Sequence, residues 1–170
     1  MKEVKIKVYD FEELGKNIQE KIMEENRAVA YDEFCEYYLK DEIEFYAKEL
    51  LAEYFSGAEF IGVQYDFGYS QGCGAMIEFR TDKFEVIHDK YCHYYHERSF
   101  EINELLDDNG NYYELENIEE LKEKIYEMNH KLVEYGYDLL ENCVSETDIE
   151  EYLFGLLFYE DGKIYGEKED

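Results

Sequence analysis

Cys73, His88, Cys92, His93 and His96 fall within one stretch of a chain that has only four cysteines and four histidines in all. Thiolate and imidazole are the donors that Zn2+ prefers in a tetrahedron. Cys73, Cys92 and His96, with His88 as fourth ligand, are therefore the candidate metal set. Four protein ligands leave no position for water, so such an ion would be structural and would pin the segment around Cys73 to the strand that follows. His88, Cys92 and His96 share strand parity. Residues four apart on a straight strand, however, stand about 13 Å from each other, and only a bulge would bring them to one ion. No C-x-x-C pair and no H-E-x-x-H motif supports the set. The alternative is that the cysteines pack in the sheet and the histidines lie on its surface.

The same residues admit a second chemistry. A thiol nucleophile needs a base within hydrogen-bond reach, and Cys92 adjoins His93, although neighbours on a strand point to opposite faces. Cys73 lies on a glycine-flanked turn whose amides would stabilise a thiolate or an oxyanion. A metal-dependent or thiol hydrolase centred on Cys73, His88, Cys92 and His96 is thus the runner-up reading. A strongly negative field opposes it, because it disfavours the thiolate. Carboxylates at helical spacing carry no information when 44 acids are present. No EF-hand loop, Walker loop or dinucleotide-binding glycine fingerprint is found.

Several elements must position these residues. Val4, Ile6 and Val8 alternate as an N-terminal strand, and Asp10 with Glu13 forms a capping box for a helix carrying Leu14, Ile18 and Ile22 to about Arg27. A longer amphipathic helix is expected over Asp32 to Phe55, closed near Gly57, with Leu39, Ile43, Tyr46, Leu50 and Tyr54 on one stripe. Glu59 to Tyr69 and Ala75 to Arg80 read as a hairpin joined through Ser70 to Gly74. Phe84 to His88 and Tyr91 to Ile102 continue the strand character up to a turn at Asp107 to Asn111. Ile118, Leu121, Ile125, Met128, Leu132 and Tyr135 step by threes and fours along a further helix. Ser145 caps a short one before Ile149 and Leu153, and Leu156 to Tyr165 closes a small hairpin. The expected fold is α+β, an antiparallel sheet of three to four strands packed against two long amphipathic helices. No linker or repeat divides the order, so 1–170 reads as one domain.

Composition sets what this body can meet. Its 170 residues carry 17 Lys and Arg against 44 Asp and Glu, a formal charge of −27, while 19 Tyr and 11 Phe supply a core that a disordered acidic polymer lacks. Such a surface repels nucleic acid and anionic membranes and attracts basic proteins. No apolar run approaches the roughly 20 residues needed to cross a bilayer, and the N-terminus has no apolar signal core. A cytoplasmic protein that binds neither nucleic acid nor membranes directly, and whose partner is a basic protein, is expected.

Tyr69-Ser70-Gln71-Gly72-Cys73-Gly74-Ala75, with His88, Tyr94-Tyr95-His96-Glu97 and the terminal Glu160-Asp161-Gly162-Lys163-Ile164-Tyr165, resembles a family of small phage and prophage proteins with the motif Y-S-Q-G-D-G-A. Cys73 stands where that family has aspartate, which adds a soft ligand beside Cys92 and His96. In size, acidity and lack of a catalytic set the chain is also similar to anti-CRISPR proteins of type II-A and other anti-defence inhibitors. The resemblance implies a non-enzymatic inhibitor in a bacterial host cell. Its carboxylates would occupy or flank the positively charged channel of an RNA-guided nuclease and block nucleic-acid loading or activity. Glu42, Glu49 and Glu53, on one side of the expected second helix, are the candidate partner-binding residues. An acidic adaptor without any nucleic-acid connection is the third reading.

Overall fold

The computed structural model describes residues 6–68, 73–92 and 95–166. The fold is α+β, with its chain gathered into two compact units: Met1–Glu36 with Asn142–Asp170, and Tyr37–Glu141. None of the described helices is long and apolar enough to cross a membrane.

In the first unit, strand β1 (Tyr9–Asp10) pairs antiparallel with β6 (Leu157–Phe158). Ile6 and Val8 precede β1 without strand geometry, and Val4 lies outside the described residues. The expected capping box forms, with the Asp10 amide donating to Glu13 Oε2 at 3.2 Å. It caps only a 3-10 turn, Phe11–Glu13, after which the chain is extended at Leu14 and helix α1 runs Lys16–Tyr37. Gln19 explains the interruption: its Nε2 donates to the carbonyls of Phe11, Glu12 and Leu14 at 3.0 to 3.2 Å, holding the turn against the start of α1. No Gly or Pro lies between Lys16 and Tyr37, so nothing ends this helix at Arg27. Helix α4 (Glu146–Leu153) begins where expected, with Ser145 Oγ accepting from the Asp148 amide at 3.1 Å. Leu14, Ile22, Ile149, Leu153 and Phe158 form the core of this unit. The terminal hairpin closes through the Phe158–Ile164 bridge, with Gly162 at a φ of 90° in its turn.

The second unit holds α2 (Leu39–Tyr54), strands β2 (Glu59–Asp66), β3 (Gly74–Arg80), β4 (Phe84–His88) and β5 (Phe100–Glu104), and α3 (Ile118–Asn142). The helix expected from Asp32 therefore begins at Leu39. Ile43, Ala47, Leu50 and Leu51 fix its buried stripe, and Gly57, at a φ of 84°, ends it as expected. The four strands form an antiparallel sheet in sequence order. Phe79 of β3 meets Phe55, just beyond α2, at 4.7 Å between ring centroids, and Phe84 lies edge-on to both.

Tyr91 to Ile102 was expected as one strand, yet only Phe100–Glu104 pairs with β4. Residues 89–92 and 95–99 have no strand geometry, and the backbone at Tyr95 passes so close to β3 that a Cβ on Gly74 would stand 2.6 Å from the Tyr95 carbonyl. Helix α3 begins at Ile118 as expected and runs past the expected Leu139 to Asn142. Its fully covered positions are Ile125, Met128, Asn129, Leu132, Val133 and Gly136, so the buried face is rotated away from Ile118, Leu121 and Tyr135.

Phe67 supplies the reason for Gly136. A Cβ at that position would meet the Phe67 ring at 2.2 to 2.7 Å, while Tyr65 stacks on the ring at 5.4 Å and Tyr137 lies edge-on at 5.5 Å. Gly136→Ala raises helix propensity but forces the ring out of place. Overpacking of this kind costs about 1–3 kcal/mol, more than the gain of about 1 kcal/mol in propensity. Thermal unfolding should show net destabilisation, and a melting temperature at or above that of the parent would refute this packing.

Candidate functional site

Antiparallel pairing of β3 with β4 begins at the hairpin where the Thr81 amide meets the Phe84 carbonyl at 2.8 Å, and continues through Phe79 and Val86. The next hydrogen-bonded pair in that register would be Ile77 with His88. It does not form. The Ile77 amide donates instead to Asn129 Oδ1 at 3.0 Å, and the His88 amide to Glu78 Oε1 at 3.0 Å. Two side chains thus replace a rung of the ladder where the strands diverge. Asn129 Nδ2 donates to the Glu97 carbonyl at 3.0 Å, so a single fully buried amide joins α3, β3 and the loop after β4.

That loop carries Cys92 and His96. Ser99, nearly buried, organises it: its amide donates to the His96 carbonyl at 2.9 Å, and its Oγ accepts from the His96 amide at 3.2 Å. The Cys92 thiol lies 3.1 Å from the same Oγ. His96 Nδ1 is 2.8 Å from Glu97 Oε2, and the opposite oxygen, Oε1, is 3.4 Å from His130 Nδ1 of α3. The Glu97 side chain is 12% exposed, so one largely covered carboxylate lies between two imidazoles. His130 stacks on Tyr126, and the Arg98 guanidinium sits 3.9 Å from the Tyr126 ring while its two terminal nitrogens meet both oxygens of Glu123.

The four residues expected to bind zinc are not gathered at one point. Cys92 faces Ser99, His96 faces Glu97, the His88 ring lies against Tyr95 at 5.2 Å, and Cys73 is half-buried beside Gly68. Among the described residues no three His, Cys, Asp or Glu side chains form a group that could hold a metal ion. The physical reason is the loop: without strand geometry at 92 and 96, the shared parity on which the ligand set relied does not apply. Cys92 and His96 likewise turn to different partners and do not form a thiol–imidazole pair. Tyr69 to Gly72, which carry most of the motif read from the sequence, and His93 and Tyr94 lie outside the described residues.

Glu42, Glu49 and Glu53 lie exposed along α2. Two of them also meet α3: Glu42 Oε2 accepts from the Tyr135 hydroxyl at 3.4 Å, and Glu53 Oε1 lies 3.2 Å from Lys131 Nζ, an ammonium placed over the Tyr54 ring. Tyr46 stacks on Tyr135 at 4.0 Å. Burial, then the charge and hydrogen bond of Glu42, with Tyr46 and Glu49 adding to it, push the Tyr135 phenol above its ordinary value.

Two outcomes test these contacts. Asn129→Leu keeps the branched shape but strands the Ile77 amide and the Glu97 carbonyl, at about 1–3 kcal/mol each, so unfolding should become easier by about 2–6 kcal/mol. Hydrogen exchange should quicken at the Ile77 amide, and retained protection there would exclude this bridge. A raised phenol favours the folded state below its unfolded value near 10 and loses that contribution as pH rises through the folded one. Melting followed above pH 10 should therefore decline less steeply in Tyr135→Phe than in the parent, and parallel curves would show the phenol free of this linkage. Compared with protein-family models, with curated proteins and with solved structures, the chain finds no match in any of the three.

Proposed function

We propose that this protein is a non-enzymatic, acidic, phage-type inhibitor that binds a basic nucleic-acid-handling protein, with a type II RNA-guided nuclease as the leading partner, and blocks its nucleic-acid loading or activity. One observation supports the reading above the others. The outward side of α2 and its start expose Tyr38 by 62% and Phe45 by 61%, among the exposed carboxylates of Asp41, Glu42 and Glu49. Aromatic side chains give contact area at small entropic cost, and arginine stacks on their faces while pairing with the carboxylates around them. A groove lined by Lys and Arg that normally takes phosphates presents the complementary groups. Carboxylates spaced along a helix supply negative charge without any sugar or base, so such an inhibitor competes with nucleic acid by charge.

Association with a purified type II nuclease, followed in a salt series, tests this. Affinity should fall about tenfold or more from low to high ionic strength, because exposed charges are screened within roughly 10 Å at 0.1 M salt. It should fall again in a Glu42→Gln, Glu49→Lys, Glu53→Gln variant. The milder changes at 42 and 53 avoid setting a lysine against Tyr135 or Lys131. Phe45→Ala separates the aromatic contribution from the charge. An affinity indifferent to salt and to all these substitutions would end the proposal.

A further inference from the structure

The first unit contains a cleft of about 710 Å³ between the 3-10 turn and helix α4. Phe11 and Phe154 give it apolar walls, and Asp10, Glu12, Glu150 and Glu151 set four carboxylates around them. None of the described residues that line it is a cation. Phe154, the C-cap of α4, is 84% exposed, a large apolar side chain with solvent over it at the rim of an acidic hollow. The end of α4 that borders the cleft, Leu153 to Gly155, is also the end where aligned peptide dipoles leave partial negative charge. A second hollow of about 440 Å³ shares Phe11, Gln19 and Glu150 with the first and adds Glu20 and Glu24. Its one cation, Arg27, is already engaged by Glu146 at 2.9 Å.

These features select one chemistry. An anion is repelled from every side, and a purely apolar ligand would leave the carboxylates facing it without compensation. A small inorganic cation makes no use of the aromatic walls. The group that satisfies both is a cation on an apolar stem, which is the side chain of arginine or lysine: methylenes lie along Phe11 and Phe154 while the charged head reaches a carboxylate. We infer that the α4 cleft is a binding site for arginine or lysine side chains projecting from an apolar-basic segment of a partner protein. This rests on the reading above that the partner is basic. It assigns to that partner a second point of attachment, apart in sequence from the α2 residues, and two linked attachments raise avidity without any new contact at either.

A short synthetic peptide alternating leucine and arginine is the probe, titrated calorimetrically into the full chain and followed by amide chemical shifts. The peptide should bind and shift the amides of Gln19, Thr147 and Gly155. Glu150→Gln with Glu151→Gln, and separately Phe154→Ala, should each weaken binding by about tenfold. All three changes lie on exposed side chains and leave the core of the unit intact. The Glu42→Gln, Glu49→Lys, Glu53→Gln variant should keep the shifts at the cleft. If the cleft variants bind as the parent does and the shifts fall elsewhere, the cleft assignment is overturned while the basic-partner reading survives. If no form of the protein binds the peptide, the cleft assignment is likewise overturned, while the basic-partner reading is decided by the nuclease titration alone.

Discussion

Strand β3 loses its β4 neighbour halfway along, and the backbone amides exposed by that divergence have to be satisfied. An unpaired amide in a covered position costs about 1–3 kcal/mol. Asn129 meets the Ile77 amide, Glu78 meets the His88 amide, and the remaining half of Asn129 takes the Glu97 carbonyl. Everything about the loop after β4 depends on this substitution of side chains for a rung of the ladder. It places Tyr95 to Glu97 beside β3 at a point where Gly74 has no side chain to obstruct them, and it brings Glu97 within reach of His130. A fully buried carboxamide is a costly core residue unless donor and acceptor both find partners. Here both do, and three segments far apart in sequence are held to a single arrangement.

The acidity of the chain is distributed in two ways with different consequences. Along α2 and α3 part of it is consumed internally, Glu42 against Tyr135, Glu53 against Lys131 and Glu123 against Arg98, which steadies neighbouring elements at exposed positions where each pair contributes little. In the cleft of α4 the carboxylates lie around aromatic walls, with no cation among the described residues that line it. With 17 basic residues against 44 acidic ones, pairing cannot be general. Exposed carboxylates stand near the exposed aromatic rings of Phe45 and Phe154, the combination on which the proposed basic partner depends.

The histidines and cysteines show how far residue type can lead without geometry. Their concentration in one part of the chain is real, and Cys92, His96 and Ser99 do belong to one small loop. What joins them is a serine hydroxyl and a set of turn hydrogen bonds. The partner that matters most to His96 is Glu97, its neighbour in sequence, whose second oxygen reaches His130. No spacing rule singles out that carboxylate among 44 acids. His130 offered a faint signal as a histidine beside a buried asparagine on the helix, and Asn129 a clearer one, since it lies four residues beyond Ile125 on the apolar stripe.

By itself, the sequence determined the fold class, the hairpin of β2 and β3, the extent of β4, the start of α3, the Ser145 cap and the glycine closing α2. Each of these is written in local periodicity or in a residue whose backbone preference acts within a few positions. Tertiary structure alone decided that Tyr91, Cys92 and Tyr95 to Ser99 are not strand, and which face of α3 is covered. Aromatic and β-branched residues favour a strand only when a neighbouring edge is free to pair. Here that edge of β3 is taken up by Asn129 and closed by the passage of the loop beside Gly74. The covered face of α3 is likewise set by what lies opposite, Phe67 against Gly136 and Ile77 against Asn129, contacts that depend on residues dozens of positions away and leave no mark in the helix's own spacing.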